Sequence, residues 1–196
     1  MSSYRPAKLH DLPGAYRVCL LTGDSGRDAT AIYRDPDLLG HLFVGPYIVG
    51  EPDLAWVLTD AEGVGGYVLA TADTRAFQAW AEANWWPQLR ERYPEAPDDG
   101  PDAALIRLIH APPRAPDSLV AAHPAHLHID LAQRIRGQGH GRAMIDLILD
   151  GLRKRACPGV HLDVSAENPN AIAFYRHLGF IELERGGESI LMGLKL

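Results

Sequence analysis

The sequence predicts an α/β fold built on a mixed, mostly antiparallel sheet flanked by helices, and three observations lead there. Residues 126–131 and 160–164 read as strands on either side of an apolar-periodic helix over 139–155, an order that makes the two strands parallel. Residues 180–184 and 190–196 read as a closing hairpin, and 54–58 with 64–70 as an earlier antiparallel pair. At 196 residues, 46% of them hydrophobic, the chain can bury one sizeable core.

The elements follow in order. A short strand over 3–5 precedes a helix that starts after Asp11, with Asp11 as its N-cap, Pro13 in its first turn and Tyr16, Cys19 and Leu20 on one face. A glycine- and aspartate-rich break follows at 23–28, and 37–49 is ambiguous because Gly40, Gly45 and Pro46 interrupt a partly helical pattern. Residues 77–92 read as a helix that Pro87 breaks or kinks. Irregular, proline-rich stretches at 93–101 and 111–116 flank a short helix at 103–109. Residues 75–124 are too poor in apolar runs for a core of their own, so they read as a helical insertion within one domain spanning 1–196. Long insertions of this kind commonly cover a site.

Several function classes drop out. A net charge of −6 provides no basic field for nucleic acid or anionic lipid, and no apolar run is long enough to span a bilayer. The opening residues lack the layout of a signal peptide, and two cysteines, Cys19 and Cys157, point to a reducing cytoplasm.

The turn Arg136-Gly137-Gln138-Gly139-His140-Gly141-Arg142 joins the 126–131 strand to its crossover helix. Glycines there let backbone N–H groups converge on an anion, and the helix dipole adds positive potential. A P-loop would end in Gly-Lys-Ser/Thr, whereas this turn ends in Gly-Arg-Ala. A dinucleotide fingerprint needs glycine where Arg142 stands. What remains is R/Q-x-x-G-x-G/A, met by Arg136, Gly139 and Gly141; a tight connection with glycines for packing alone is the competing explanation. Downstream, Asn168 reads as an N-cap, Pro169 as the first helical residue and Gly179 as the C′ glycine of a helix over 169–178.

The glycine turn resembles the pyrophosphate loop of the GNAT acetyltransferase superfamily. The capped helix is similar to that family's N-x-x-A-x-x-F/L-Y-x-x-x-G-F signature, with Asn168, Ala171, Tyr175, Gly179 and Phe180 in register. The resemblance implies a GNAT fold, acetyl-CoA as cosubstrate, an amine or peptide acceptor, and sometimes a homodimer. It implies cofactor contacts from Arg136 to Arg142, from Asn168, Ala171, Phe174 and Tyr175, and from the backbone of Ile129 and Leu131. It also implies Tyr175 as the acid that protonates the leaving thiolate. More finely, Tyr4-Arg5-Pro6, Tyr16-Arg17-Val18-Cys19, 62–67, Trp86-Pro87-Gln88, Ile129-Asp130 and Phe174-Tyr175 resemble the acetyltransferase-like carboxyl-terminal domain of O-GlcNAcase and its bacterial relatives. The animal domain has lost the glycine loop that this chain keeps.

His126, His128 and Asp130 share one strand face and Leu127, Ile129 and Leu131 the other. The polar face reads as an acceptor wall, with Asp130 as general base and His128 behind it. A zinc site on the same three residues is the rival, and no metal is expected. Tyr67, Asp73, Trp85 and Trp86 are the candidate acceptor-side residues. The alternative to an enzyme is a module that binds acetyl-CoA or a peptide and transfers nothing.

Overall fold

The computed structural model describes residues 2–95 and 99–196. The chain order is β1 (Ser3–Pro6), α1 (Leu12–Leu20), α2 (Leu38–Phe43), α3 (Gly45–Gly50), β2 (Ala55–Asp60), β3 (Gly63–Thr71), α4 (Thr74–Asn84), α5 (Trp86–Arg92), α6 (Pro101–His110), α7 (Asp117–Ala122) and β4 (Ala125–Leu131). It continues with α8 (His140–Lys154), β5 (Gly159–Ser165), α9 (Pro169–His177), β6 (Ile181–Gly186) and β7 (Ser189–Lys195). The seven strands form one sheet in the order β1-β2-β3-β4-β5-β7-β6. β4 and β5 pair in parallel and every other neighbouring pair is antiparallel.

Each face of the sheet carries its own core. On one, Met144, Ile145, Ile148, Leu149 and Leu152 of α8 and Ile172 and Tyr175 of α9 pack on Leu58, Val68, Ala70 and Leu127. Each such aliphatic side chain contributes roughly 1.5–3 kcal/mol when fully buried. On the other, α1–α3 join Phe77, Ala81, Trp86, Leu89, Leu105 and Ile109 against Val57, Tyr67 and Leu69. The segment between β3 and β4 therefore closes over this second face. Among the described residues no helix is long and apolar enough to cross a membrane.

Local chemistry departs from the sequence reading at several points. The ambiguous 37–49 stretch forms two short helices that meet at Val44. The helix expected over 77–92 is two, broken at Trp85, because Pro87 is stable only in the first turn of a new helix. Asp11 does not cap α1 with its side chain; its buried carboxylate accepts from the Lys8 N–H at 2.9 Å and from both Arg5 guanidinium nitrogens at 2.6 Å. Asp117–Ala122 adds a helix where none was expected. Part of the irregular stretch expected over 93–101, residues 96–98, lies outside the described residues.

Gly40 shows how tightly α1 and α2 close: a Cβ built there would lie 2.2 Å from the Tyr16 ring, which is itself pinned by a 3.0 Å hydrogen bond to His41. Gly40→Ala should cost about 1–3 kcal/mol through overpacking. Urea unfolding measures it; an unchanged midpoint would show that the two helices can separate freely.

Candidate active site

The parallel ladder between β4 and β5 has only two rungs, Ala125↔Val160 and His126↔His161. Beyond them the strands part, although β4 stays paired with β3 to Leu131 and β5 with β7 to Ser165. Which backbone groups face the opening follows from the antiparallel ladder. The Ala132 N–H donates to the Gly65 carbonyl at 2.8 Å, so Leu131 and Gly66 exchange no hydrogen bonds. Alternation then commits the backbones of His126, His128 and Asp130 to β3 and turns those of Ile129 and Leu131 toward the gap. Arg136 occupies one of these groups, with Nε donating to the Leu131 carbonyl at 2.7 Å and Nη1 to the Gly26 carbonyl at 3.0 Å.

The glycine turn stands beside this wedge. Gly137 and Gly139 have φ of 74° and 82°, and a Cβ on either would meet nothing within 4 Å. The turn is thus left-handed where only glycine is at ease, and it is open outward. Gly139 caps the 15-residue α8. Among the described residues no hydrogen bond engages the backbone N–H groups from Gly137 to Arg142. Six free donors at the positive end of a helix are an arrangement able to hold an anion. Arg142 is exposed at its rim, Gln138 bonds back to the Arg134 carbonyl, and His140 Nδ1 meets the Tyr4 hydroxyl at 2.6 Å. Gly141 serves packing instead, because a Cβ there would come 3.1 Å from Phe174 and glycine lets α8 and α9 converge.

α9 is capped as expected, with the Asn168 side chain accepting from the Ala171 N–H at 3.1 Å. It buries the Tyr175 ring to 8% exposure and leaves the hydroxyl accessible, bonded by no group among the described residues. Burial, then the nearby Asp130 carboxylate, raises its pKa.

Across the sheet, Asp130 accepts a 2.5 Å hydrogen bond from the Tyr67 hydroxyl. Burial lifts its carboxyl to about 6, a shift the Tyr67 bond opposes. Its neighbours His126 and His128 join a further set of residues. Tyr47 lies between them, its hydroxyl 2.6 Å from His126 Nε2 and 3.0 Å from His128 Nε2, while Thr74 meets His126 Nδ1 at 2.7 Å. Burial keeps both imidazoles neutral, His128 at about 4. These rings front a cavity of about 840 Å³ walled by Phe43, Tyr47, Phe77 and Trp86 on the helical side and by Asp163 and Leu191 on the sheet side.

Among the expected acceptor-side residues, Trp86 lines this cavity. Tyr67 is fully buried outside its lining and bonded to half-buried Asp130. Asp73 caps α4 by accepting from the Arg75 and Ala76 N–H groups, and Trp85 donates to the His41 carbonyl. Zinc on the β4 face is disfavoured by geometry, since both His126 nitrogens are already bonded and Asp130 turns to Tyr67. Tyr47 and Thr74 escaped sequence reasoning; the His-x-His spacing was the one signal that something would face these rings.

The Acetyltransferase (GNAT) family matches this chain over residues 67–180. That span covers more than half the chain, including the wedge, the glycine turn and α9. The chain belongs to the GNAT family. The crystal structure of SsHAT is 40% identical, covers 99% of this chain and 98% of its own, and superposes with a TM-score of 0.93. PH1933 from Pyrococcus horikoshii OT3 shares the GNAT fold at 14% identity, TM-score 0.65 and coverage of 100% and 99%. Protein O-GlcNAcase of Rattus norvegicus and of Mus musculus are each 25% identical over 185 residues, 92% of this chain. The chain spans about a fifth of the length of those curated relatives, since the match covers 20% of each.

The raised Asp130 pKa of this GNAT domain makes a pH prediction. A carboxyl whose folded pKa lies above its unfolded value favours folding only while protonated, so its contribution is lost as pH rises through about 6. Asp130→Asn should therefore stabilise the protein by about 3 kcal/mol at pH 8, with most of the gain gone by about pH 4. Denaturant unfolding at the two pH values reads the difference; an equal effect at both would mean that Asp130 is well solvated.

Proposed function

We propose that this chain is an acetyl-CoA-dependent N-acetyltransferase that passes the acetyl group directly to an amine in a ternary complex. The observation that carries the reading is the wedge between β4 and β5, with the Ile129 backbone and the Leu131 N–H free along one wall and six free amides at its outer end. This donor set suits a diphosphate followed by an amide-bearing arm. Arg142 adds a positive charge there, and Asn168, Ala171 and Phe174 would flank the arm from α9. When bound, acetyl-CoA supplies an acyl group on a good leaving thiolate.

The residues of this chain do the rest. The Ile129 or Leu131 N–H is aimed to polarise an acyl oxygen in the gap, where no water competes once the arm is seated. Tyr175 keeps its proton at neutral pH and holds a hydroxyl that no described group bonds, as an acid for a thiolate requires. Asp130 and His128 are the two groups on β4 able to take the amine's proton. No cysteine is placed for an acetyl-enzyme: Cys19 is buried with its thiol pushed up to about 12, and Cys157 bonds the Ala72 and Gly159 carbonyls.

The cavity supports one class of acceptor. Its aromatic wall of Phe43, Tyr47, Phe77 and Trp86 suits an apolar body. A small primary amine on an apolar or aromatic frame is the best fit.

Two measurements test this. Saturating acetyl-CoA should raise Tm by linkage, and no shift would remove the cofactor from the reading. Tyr175→Phe should bind acetyl-CoA as the wild type does while CoA release with an amine acceptor falls about 10²-fold. Unaltered turnover would take Tyr175 out of the mechanism.

A further inference from the structure

The chain of hydrogen bonds behind the acceptor cavity has a direction that can be read from one end. The Thr74 hydroxyl lies 2.7 Å from the Pro124 carbonyl, which can only accept, so the hydroxyl proton points there. Thr74 Oγ1 must then accept from His126 at 2.7 Å, placing a proton on His126 Nδ1. Since burial holds this imidazole neutral, Nε2 carries a lone pair and takes the Tyr47 hydroxyl proton at 2.6 Å. The Tyr47 oxygen, with its single proton used, can only accept from His128 Nε2 at 3.0 Å. His128 is therefore protonated on Nε2, and being neutral it has its lone pair on Nδ1. No group among the described residues bonds that nitrogen, and none of their buried side-chain nitrogens or oxygens lacks a partner, so Nδ1 opens onto the cavity.

We propose that Thr74, His126 and Tyr47 are positioning residues that lock His128 in its Nε2–H form, and that His128 Nδ1 takes the proton from the acceptor amine. The inference rests on the N-acetyltransferase reading and selects between its two candidate bases. Asp130 is the less suitable, because the Tyr67 hydroxyl already holds it and it lies outside the cavity wall that His128 forms.

The step balances. The amine lone pair forms the C–N bond, and the proton shed by nitrogen goes to His128 Nδ1. The C–S bond breaks with its electron pair on sulfur, which takes the Tyr175 proton. Solvent then removes one proton from the imidazolium and returns one to the tyrosinate. As His128 becomes cationic its Nε2–H bond to Tyr47 strengthens, so the relay stabilises the charge at the moment it forms.

The test has a spectroscopic arm and a kinetic arm. In ¹⁵N-histidine-labelled protein, two-bond ¹⁵N–¹H correlations should show His128 as the Nε2–H tautomer, and Tyr47→Phe should turn it into a mixture. An Nδ1–H signal for wild-type His128 overturns the relay whatever the activity. His128→Gln should lower kcat at least 10²-fold with KM for acetyl-CoA unchanged, and Tyr47→Phe about tenfold. Thr74→Val should lower it similarly, whereas Thr74→Ser, which keeps the hydroxyl, should restore it. Turnover of His128→Gln within threefold of wild type overturns the base assignment. A wild-type protein that binds acetyl-CoA but acetylates no amine would overturn both the proposed function and the base role, while the tautomer signal still decides whether the relay exists.

Discussion

The short parallel ladder between β4 and β5 is the constraint on which the site depends. After His126↔His161 each strand keeps one satisfied neighbour, β3 or β7, and gives up the other. Backbone donors and acceptors left facing a gap in a sheet cost free energy unless something polar enters, on the order of 1–3 kcal/mol for each group that is buried and unpaired. The packing of α8 and α9 on one face, and of the insertion on the other, holds the strands apart and so maintains that demand.

The two faces of the sheet are built on different physics. Beneath α8 the contacts are aliphatic and cooperative only through packing. Beneath α1–α4 a row of polar side chains is buried, and it is tolerable because every hydrogen bond has a partner running back to a main-chain carbonyl. A network anchored in this way rigidifies its members. In the proposed relay these bonds also set the tautomer of each imidazole. The aromatic cavity lies directly over this polar floor, so an acceptor would find a dry wall and a directed lone pair together.

Much of the site could be read along the chain because its parts are local. The glycine turn and the capped α9 are contiguous strings in which spacing alone implies backbone conformation, and Gly137, Gly139, Asn168 and Gly179 adopt what their residue types suggest. Strand alternation put His126, His128 and Asp130 on one face, and pairing with Thr71, Leu69 and Tyr67 keeps them there. Side chains with two available partners were the less legible ones. Asp11 could cap a helix or bind Arg5, and the bidentate pair won because it also collects the Lys8 N–H. Asp73 could face an acceptor or cap α4, and the two orphan N–H groups of that helix claimed it.

Fold class, the open glycine turn and the polar face of β4 were all legible in the linear order of residues, because each follows from periodicity or from what glycine, proline and asparagine do to their nearest neighbours. Where β4 and β5 part was settled only in three dimensions, as was the placing of Tyr47 and Thr74, 79 and 52 positions away in the chain, against His126. Those outcomes depend on how helices far apart in the chain settle on the sheet. Side-chain direction at such distances follows from packing, and packing leaves no periodic trace in a sequence.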